Sequence, residues 1–319
     1  MQSNPSSFDK DTPLKIGTRG SDLALAQARE VRSLLMKAHN LAEECFEIVV
    51  IKTTGDIVQD RPLSEIGGKG LFSKEIEQVL SEGGIDIAVH SSKDMATVLP
   101  DGLVMDVFLP REDVRDAFIS EKTDTLDGLT RGAVIGSSSL RRQAQLKRYR
   151  SDFEVIIFRG NVQTRLRKLS EGQADATLLA AAGLSRLNMK DTARSHLDTN
   201  IFLPACAQGA VGIQTREDDS ISRDFIAPLH DDKTAKAVIA ERAFLRVLDG
   251  SCRTPIAGLA SIEGEKLSFK GEILRPDGSE SFSIAEEGAV NDAHEIGKHA
   301  GLKLKKQLSA DFLASLDIR

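Results

Sequence analysis

Short apolar runs alternate with amphipathic stretches of helical period through the first two thirds of this chain. That alternation is the signature of βα units, in which strands of a largely parallel sheet are joined by helices packed on its faces. Leu14–Thr18 reads as a first strand, followed by a helix from about Ser21 with Leu25, Ala28, Val31, Leu34 and Leu35 on one face. A strand over Phe46–Thr53, a helix near Ser73–Leu80 and a strand over Ile85–His90 continue the series. The rhythm then restarts. Strand Ala133–Gly136, helix Leu140–Tyr149, strand Val155–Phe158, helix Val162–Leu169 and strand Thr177–Ala180 predict a second α/β domain like the first. Turn residues put the boundaries near Pro110 and Pro204. After Ala210–Ile213 the pattern changes to a long helix (Lys233–Leu248), three alternating strands (Ile256–Ser261, Leu267–Leu274, Ser281–Ala285) and a last helix (Asp292–Leu308), a smaller α+β domain.

Two stretches fit neither period. Residues 1–12 are polar and read as a frayed tail without a secretory signal. Thr54–Gly70 carries Gly55-Asp56, Arg61-Pro62 and Gly67-Gly68-Lys69-Gly70, and a loop of that length marks a functional lid or a disordered segment. It lacks the spacing of a phosphate-binding P-loop.

Charge narrows the chemistry. The net charge is −6, yet residues 140–168 set nine basic side chains against two acidic ones. A basic cluster inside an acidic chain argues for a local anion site and against general binding of polyanions. One tyrosine and no tryptophan leave little surface on which nucleic-acid bases could stack. The three cysteines, Cys45, Cys206 and Cys252, form no Cys-x-x-Cys pair, and the six histidines show no ligand spacing. A disulfide scaffold and a metal site are therefore not expected, and a reducing cytoplasm is. No apolar run approaches the roughly 20 residues of a membrane helix.

Four places carry candidate chemistry. Gly17-Thr18-Arg19-Gly20-Ser21 sits where a strand turns into a helix, so backbone N–H groups, a hydroxyl and a guanidinium converge on an anion site; Ser21 also suits a plain N-cap and Arg19 a solvated side chain. Gly136-Ser137-Ser138-Ser139-Leu140-Arg141-Arg142 repeats that junction with two arginines in the helix's first turn, where positive charge opposes the macrodipole unless an anion answers it. His90-Ser91-Ser92-Lys93-Asp94 follows the third strand at the edge where open sheets bind ligands. Its Lys93 and Asp94 suit either a surface ion pair or a carboxylate kept for cation stabilisation or proton transfer. Cys252 lies in the turn Gly250-Ser251-Cys252-Arg253-Thr254-Pro255, beside a guanidinium that favours thiolate, though a lone cysteine is more commonly buried and inert.

Taken in order, Thr18-Arg19-Gly20-Ser21-x-Leu23-Ala24, Thr54-Gly55-Asp56, Gly67-Gly68-Lys69-Gly70-Leu71-Phe72, Ala88-Val89-His90-Ser91-x-Lys93-Asp94, Arg111-Glu112-Asp113-x-x-Asp116-Ala117, Gly136-x-Ser138-Ser139-Leu140-Arg141-Arg142, Arg159-Gly160-Asn161-Val162-x-Thr164-Arg165-Leu166, Ala182-Gly183-Leu184-x-Arg186-Leu187, Gln208-Gly209-Ala210-Val211-Gly212 and Glu241-Arg242-Ala243 through Cys252 closely resemble the porphobilinogen deaminase (hydroxymethylbilane synthase) family. The resemblance covers about residues 14–260. It implies a transferase of tetrapyrrole and heme biosynthesis that joins four porphobilinogen molecules head to tail with loss of ammonia, then releases hydroxymethylbilane. It implies a covalent dipyrromethane cofactor held by a thioether at Cys252. The fold implied is two tandem periplasmic-binding-protein-like α/β domains flanking a cleft, residues 13–110 with 208–227 and residues 111–204, plus a smaller α+β domain over 231–319 that carries the cofactor loop around 250–255.

The same resemblance implies the site. Asp94 takes the catalytic carboxylate position. Arg19, Ser21, Lys93, Ser138, Ser139, Arg141, Arg142, Arg159, Arg165 and Arg186 take cofactor and substrate contacts, and Lys69 and Phe72 belong to a lid over about 54–72. Arginine suits the acetate and propionate of each pyrrole because its planar fork meets a carboxylate with two parallel hydrogen bonds. No metal, nucleic acid or membrane is implied, and a cytoplasmic monomer is. The chain departs from the family at Ser92 (commonly methionine), at Met95-Ala96 (an apolar-Pro pair), at Glu65 (a lid lysine in some relatives) and at Ala207 (a common glycine). Two readings of other classes stand beside the enzyme: a solute-binding protein, suited to tandem α/β domains, and a nucleic-acid-binding module prompted by the arginines.

Overall fold

The computed structural model describes residues 8–57, 70–248 and 254–316. Lys69, Glu65 and Cys252, with most of the expected lid and cofactor loop, lie outside the described residues. Chain order begins with β1 (Leu14–Thr18), α1 (Asp22–His39), β2 (Phe46–Val50), α2 (Thr54–Ile57), α3 (Lys74–Ser81), β3 (Ile87–Ser91) and β4 (Leu103–Phe108). Next come β5 (Asp116–Ser120), β6 (Val134–Gly136), α4 (Leu140–Tyr149), β7 (Glu154–Ile156), α5 (Val162–Ser170), β8 (Ala176–Ala180), α6 (Ala181–Arg186) and β9 (Ser195–His196). The chain ends with β10 (Val211–Arg216), α7 (Ser220–Ile226), α8 (Asp232–Val247), β11 (Ile256–Glu263), β12 (Lys266–Leu274), β13 (Ser281–Ala289), α9 (Ala293–Lys305) and α10 (Ala310–Ser315).

Contacts divide the described residues into two compact units, 8–57 with 70–111 and 210–235, and 112–209 with 236–316. The first unit is built on a five-stranded sheet of order β2-β1-β3-β10-β4. Its first three strands are parallel, while β10 lies antiparallel to both β3 and β4, with Ile213 opposite Val89 and Val107. Leu14, Ile16, Ile87, Val211 and Ile213 meet Ala28, Val31 and Leu35 of α1 in a buried core. Each such aliphatic side chain contributes about 1.5–3 kcal/mol on burial. The segment expected as a frayed tail joins this core from Phe8 onward: the Phe8 ring is buried edge-on against Phe225 at 4.9 Å. Within the expected lid, Thr54–Ile57 is helical where the pattern showed no helix, and Gly55 N–H bonds Leu71 O at 2.9 Å.

The second unit holds another five-stranded sheet, β7-β6-β8-β5-β9. Replacing β1, β2, β3, β10 and β4 by β6, β7, β8, β5 and β9 gives the same order and the same directions. Each sheet is thus mixed, with four strands running one way and a single strand, β10 or β5, against them. Periodicity records which residues face a core and is blind to strand direction; β4 and β5 went unrecognised because neither alternates in burial, β5 being buried along its whole length. The difference between the sheets lies in chain order. The antiparallel strand of the first sheet comes last of its five, and that of the second comes first.

The α+β section, an antiparallel β11-β12-β13 sheet under α8 and α9, belongs to the second unit. A side chain at Gly297 would put its Cβ 1.9 Å from Ala240 O, so only glycine lets α9 lie this close to α8. Two buried carboxylates tie this section to α4 and to the segment before β10. Glu272 on β12 accepts from Gln145 Nε2 (2.5 Å) and Arg148 Nη1 (2.6 Å) of α4. Glu241 on α8 accepts from the backbone N–H groups of Ala207 (2.5 Å) and Ala260 (2.8 Å). Ala207 itself has φ of 62°, the left-handed region in which an alanine is strained and a glycine is not.

Candidate active site

The first junction has been folded around its caps. Ser21 precedes α1 with its hydroxyl accepting from Ala24 N–H at 3.3 Å, and buried Thr18 donates to Ala24 O at 3.2 Å. Together they turn the chain sharply out of β1, and Arg19 stands at that turn. Its guanidinium lies over the Phe72 ring, 4.3 Å from the centroid, a stacking that favours one orientation by about 0.5–1 kcal/mol. On the neighbouring strand, β3 ends in a single 3-10 turn, Ser92–Asp94. The two strand ends open onto one pocket, whose walls include Arg19, Ser21, Gln27, Phe72, His90 and Asp94. It sits at the carboxyl ends of parallel β1 and β3, where backbone geometry leaves an open-sheet crevice.

The pocket's electrostatics are uneven. His90 is buried, and burial pushes its pKa down to about 4, helped by the positive charge of Arg19 and opposed by its hydrogen bond to Gln214. At neutral pH the His90 imidazole is therefore neutral, in a wall it shares with Arg19 and Asp94.

The equivalent junction of the second sheet uses the same cap with a different outcome. Ser139 accepts from Arg142 N–H at 3.4 Å, and Ser138 Oγ accepts from Phe158 N–H at 3.0 Å, tying the ends of β6 and β7. Arg141 and Arg142 are both buried against the fully enclosed carboxylate of Asp116, with Nη2 atoms at 2.8 and 2.7 Å from its two oxygens. Gln208 Nε2 donates to the same carboxylate at 2.9 Å. Burial would raise the Asp116 pKa, but the charges of Arg141 and Arg142 outweigh it and hold the carboxyl well below its usual range. The anion demanded by two arginines at a helix start is thus supplied from within the protein. Each guanidinium keeps one buried Nε–H without a partner.

The remaining expected residues are half-buried. Arg165 Nε donates to Gly160 O at 2.9 Å, Arg186 Nη1 to Gly209 O at 3.2 Å, and Arg159 sits at the turn before α5, its own O accepting from Lys168 Nζ at 3.1 Å. Lys93 shares the turn of Asp94 but is not among the residues that line the pocket. Phe72, expected as a lid residue, forms pocket wall. Cys45 and Cys206 are buried, and neither is in a disulfide. Among the described residues no group of histidine, cysteine and carboxylate side chains could hold a metal, and no helix is long and apolar enough to cross a membrane. Sequence reasoning gave no role of their own to His90, Gln27 or Asp116; His90 and Asp116 each stand in a family-like motif, which was the available signal.

Known proteins agree on the family. The profile described as porphobilinogen deaminase, dipyromethane cofactor binding domain, matches residues 14–224, and that of the porphobilinogen deaminase C-terminal domain matches residues 235–306. A porphobilinogen deaminase from Paracoccus denitrificans (strain Pd 1222) is 55% identical over 304 residues, 95% of this chain and 97% of that one. Another from Nitrobacter hamburgensis is 52% identical over 307 residues, covering 96% and 97%. A periplasmic substrate-binding protein of an ABC transporter from Coxiella burnetii overlaps 70% of this chain and 93% of its own at 13% identity and a TM-score of 0.41, too loosely to bear on function. The chain belongs to the porphobilinogen deaminase family.

Proposed function

We propose that the pocket shared by Arg19 and Asp94 is where this chain, a transferase of tetrapyrrole biosynthesis, condenses porphobilinogen into hydroxymethylbilane. The observation that carries the reading is the placing of one cation and one carboxylate in a single pocket at the carboxyl edge of a sheet. Porphobilinogen is a pyrrole with two carboxylate arms. Arg19 suits an arm, since its fork is oriented by Phe72 and a charge-assisted pair contributes about 1.5–3 kcal/mol where water is excluded. Asp94 suits the ring. Loss of ammonia leaves an electron-poor methylenepyrrolenine, and a nearby carboxylate lowers the energy of positive charge as it develops. The same carboxylate is placed to hold a proton during deprotonation of the coupled pyrrole.

The donor set also fits a dipyrromethane cofactor, whose acetate and propionate groups call for cations and hydroxyls. Arg19 and Ser21 are donors of that kind in the pocket, and the further cofactor and substrate contacts are assigned to Ser138, Ser139, Arg159, Arg165 and Arg186. When bound, the cofactor supplies the pyrrole carbon from which the product grows. We assign its attachment to Cys252, Lys93 to a carboxylate contact, and Lys69 with Phe72 to closure over the pocket. The chain is further assigned to the cytoplasm as a monomer of 34.6 kDa.

Intact-mass measurement of the purified protein, followed by peptide mapping, tests the attachment. A dipyrromethane increment on the peptide containing Cys252, lost in Cys252→Ala, is expected. An adduct that persists in Cys252→Ala would move the tether elsewhere, and neither adduct nor product after incubation with porphobilinogen would favour a carboxylate-binding protein.

A further inference from the structure

Behind the pocket runs a buried string of four side chains from three elements. His90 Nε2 and Gln214 Oε1 are 2.9 Å apart, Gln214 Nε2 donates to Glu77 Oε1 at 3.2 Å, and Ser73 Oγ donates to Glu77 Oε2 at 3.2 Å. All four residues are buried, Gln214 completely. Ser73 adjoins Phe72, the ring beneath Arg19, and His90 lines the same pocket.

The string has a direction that chemistry enforces. A carboxylate only accepts hydrogen bonds, so Gln214 must turn its NH₂ toward Glu77. Its carbonyl oxygen then faces His90, and that oxygen can be met only by a protonated Nε2. A neutral imidazole has one N–H, so the proton on Nε2 leaves Nδ1 bare. Nδ1 makes no hydrogen bond to any described residue. Burial and the neighbouring charge of Arg19 both disfavour a second proton on the ring.

We propose that Glu77, which does not line the pocket, fixes the tautomer of His90 through Gln214, so that the imidazole offers an unprotonated Nδ1 as acceptor for the pyrrole N–H of a substrate held beside Arg19 and Asp94. Glu77 and Gln214 are then positioning residues. The substrate assignment rests on the functional reading above; the tautomer does not. A protonated imidazole at this place would repel the cationic intermediates that Asp94 stabilises, whereas a neutral acceptor orients the ring without adding charge.

Nitrogen-15 NMR of histidine-labelled holoenzyme at pH 7 tests the tautomer, with the His90 signal identified by its loss in His90→Asn. One neutral form protonated at Nε2 is expected; an Nδ1–H form or an imidazolium would overturn the proposal. In Glu77→Gln the new amide can meet Gln214 by either end, so a second population protonated at Nδ1 should appear. A single unchanged tautomer in that variant would remove Glu77 from the mechanism. Turnover gives the second arm. Asparagine places a polar atom near Nδ1, glutamine one near Nε2, so His90→Asn should retain about tenfold more turnover than His90→Gln. The reverse order would make the ring a structural link only. Wild-type protein that binds porphobilinogen without turning it over would fail the functional reading and leave the tautomer result standing.

Discussion

The two five-stranded sheets share strand order and directions, yet they spend their arginines differently. At the end of β1, Arg19 precedes the cap of α1 and stands in an open pocket. At the end of β6, Arg141 and Arg142 follow the cap of α4 and are enclosed against Asp116. A guanidinium ahead of the cap can lean out of the sheet's edge, whereas one in the first helical turn is directed over the sheet and must find its anion there. The same local architecture thus yields a ligand contact in one sheet and a structural hub in the other. Repetition of a motif is evidence for repetition of a fold, and only the partners decide whether the chemistry repeats.

The largest expected break in the comparison is at Asp94, a carboxylate that lines the open pocket, whereas Asp116 of the second sheet is spent on the fold. Asp94→Asn should lower turnover by about 10²- to 10⁴-fold while leaving the thermal unfolding midpoint unchanged. Near-normal turnover in steady-state assays would remove Asp94 from the reaction. Asp116→Asn should behave in the opposite way, losing about 3–5 kcal/mol of stability in urea titration because two buried guanidiniums lose their counter-charge. Its acid behaviour fixes the sign. A carboxyl whose folded pKa is depressed contributes stability above its unfolded pKa of about 3.9, and that contribution is lost as the pH falls further. The variant should therefore lose part of the wild type's stability loss below pH of about 4. An unchanged acid profile would mean that Asp116 is not so paired. The smallest effect concerns the crossing that brings β10 to the first sheet. Ala207→Gly should raise stability by up to about 1 kcal/mol by relieving a left-handed alanine, and a loss measured by calorimetry would show the backbone there to be unstrained.

What could be read in the sequence was local. The start of α4 at Leu140 was legible because Ser139 and the apolar spacing that follows both lie within a few residues. Both arginine-bearing junctions were visible for the same reason. The partners were not. Asp116 is separated from Arg141 by 25 residues, and Gln214 from His90 by 124 and from Glu77 by 137. No periodicity links such positions; only the sheet order does, through a strand that enters antiparallel after a passage through the second unit. Family motifs carried the reading further, since they name residues that matter without saying what each one touches.

The contrast between the junctions is tested most directly by Arg19→Leu and Arg141→Leu, each measured for unfolding free energy and for porphobilinogen turnover. Arg19→Leu should keep its stability within about 1 kcal/mol and lose turnover, as a half-buried charge in the wall of an open ligand pocket does. Arg141→Leu should lose about 3–5 kcal/mol of stability, as a broken buried pair does. Native stability in Arg141→Leu together with lost turnover would show that the second junction, like the first, exists to bind the ligand, and would contradict the division drawn between the two sheets.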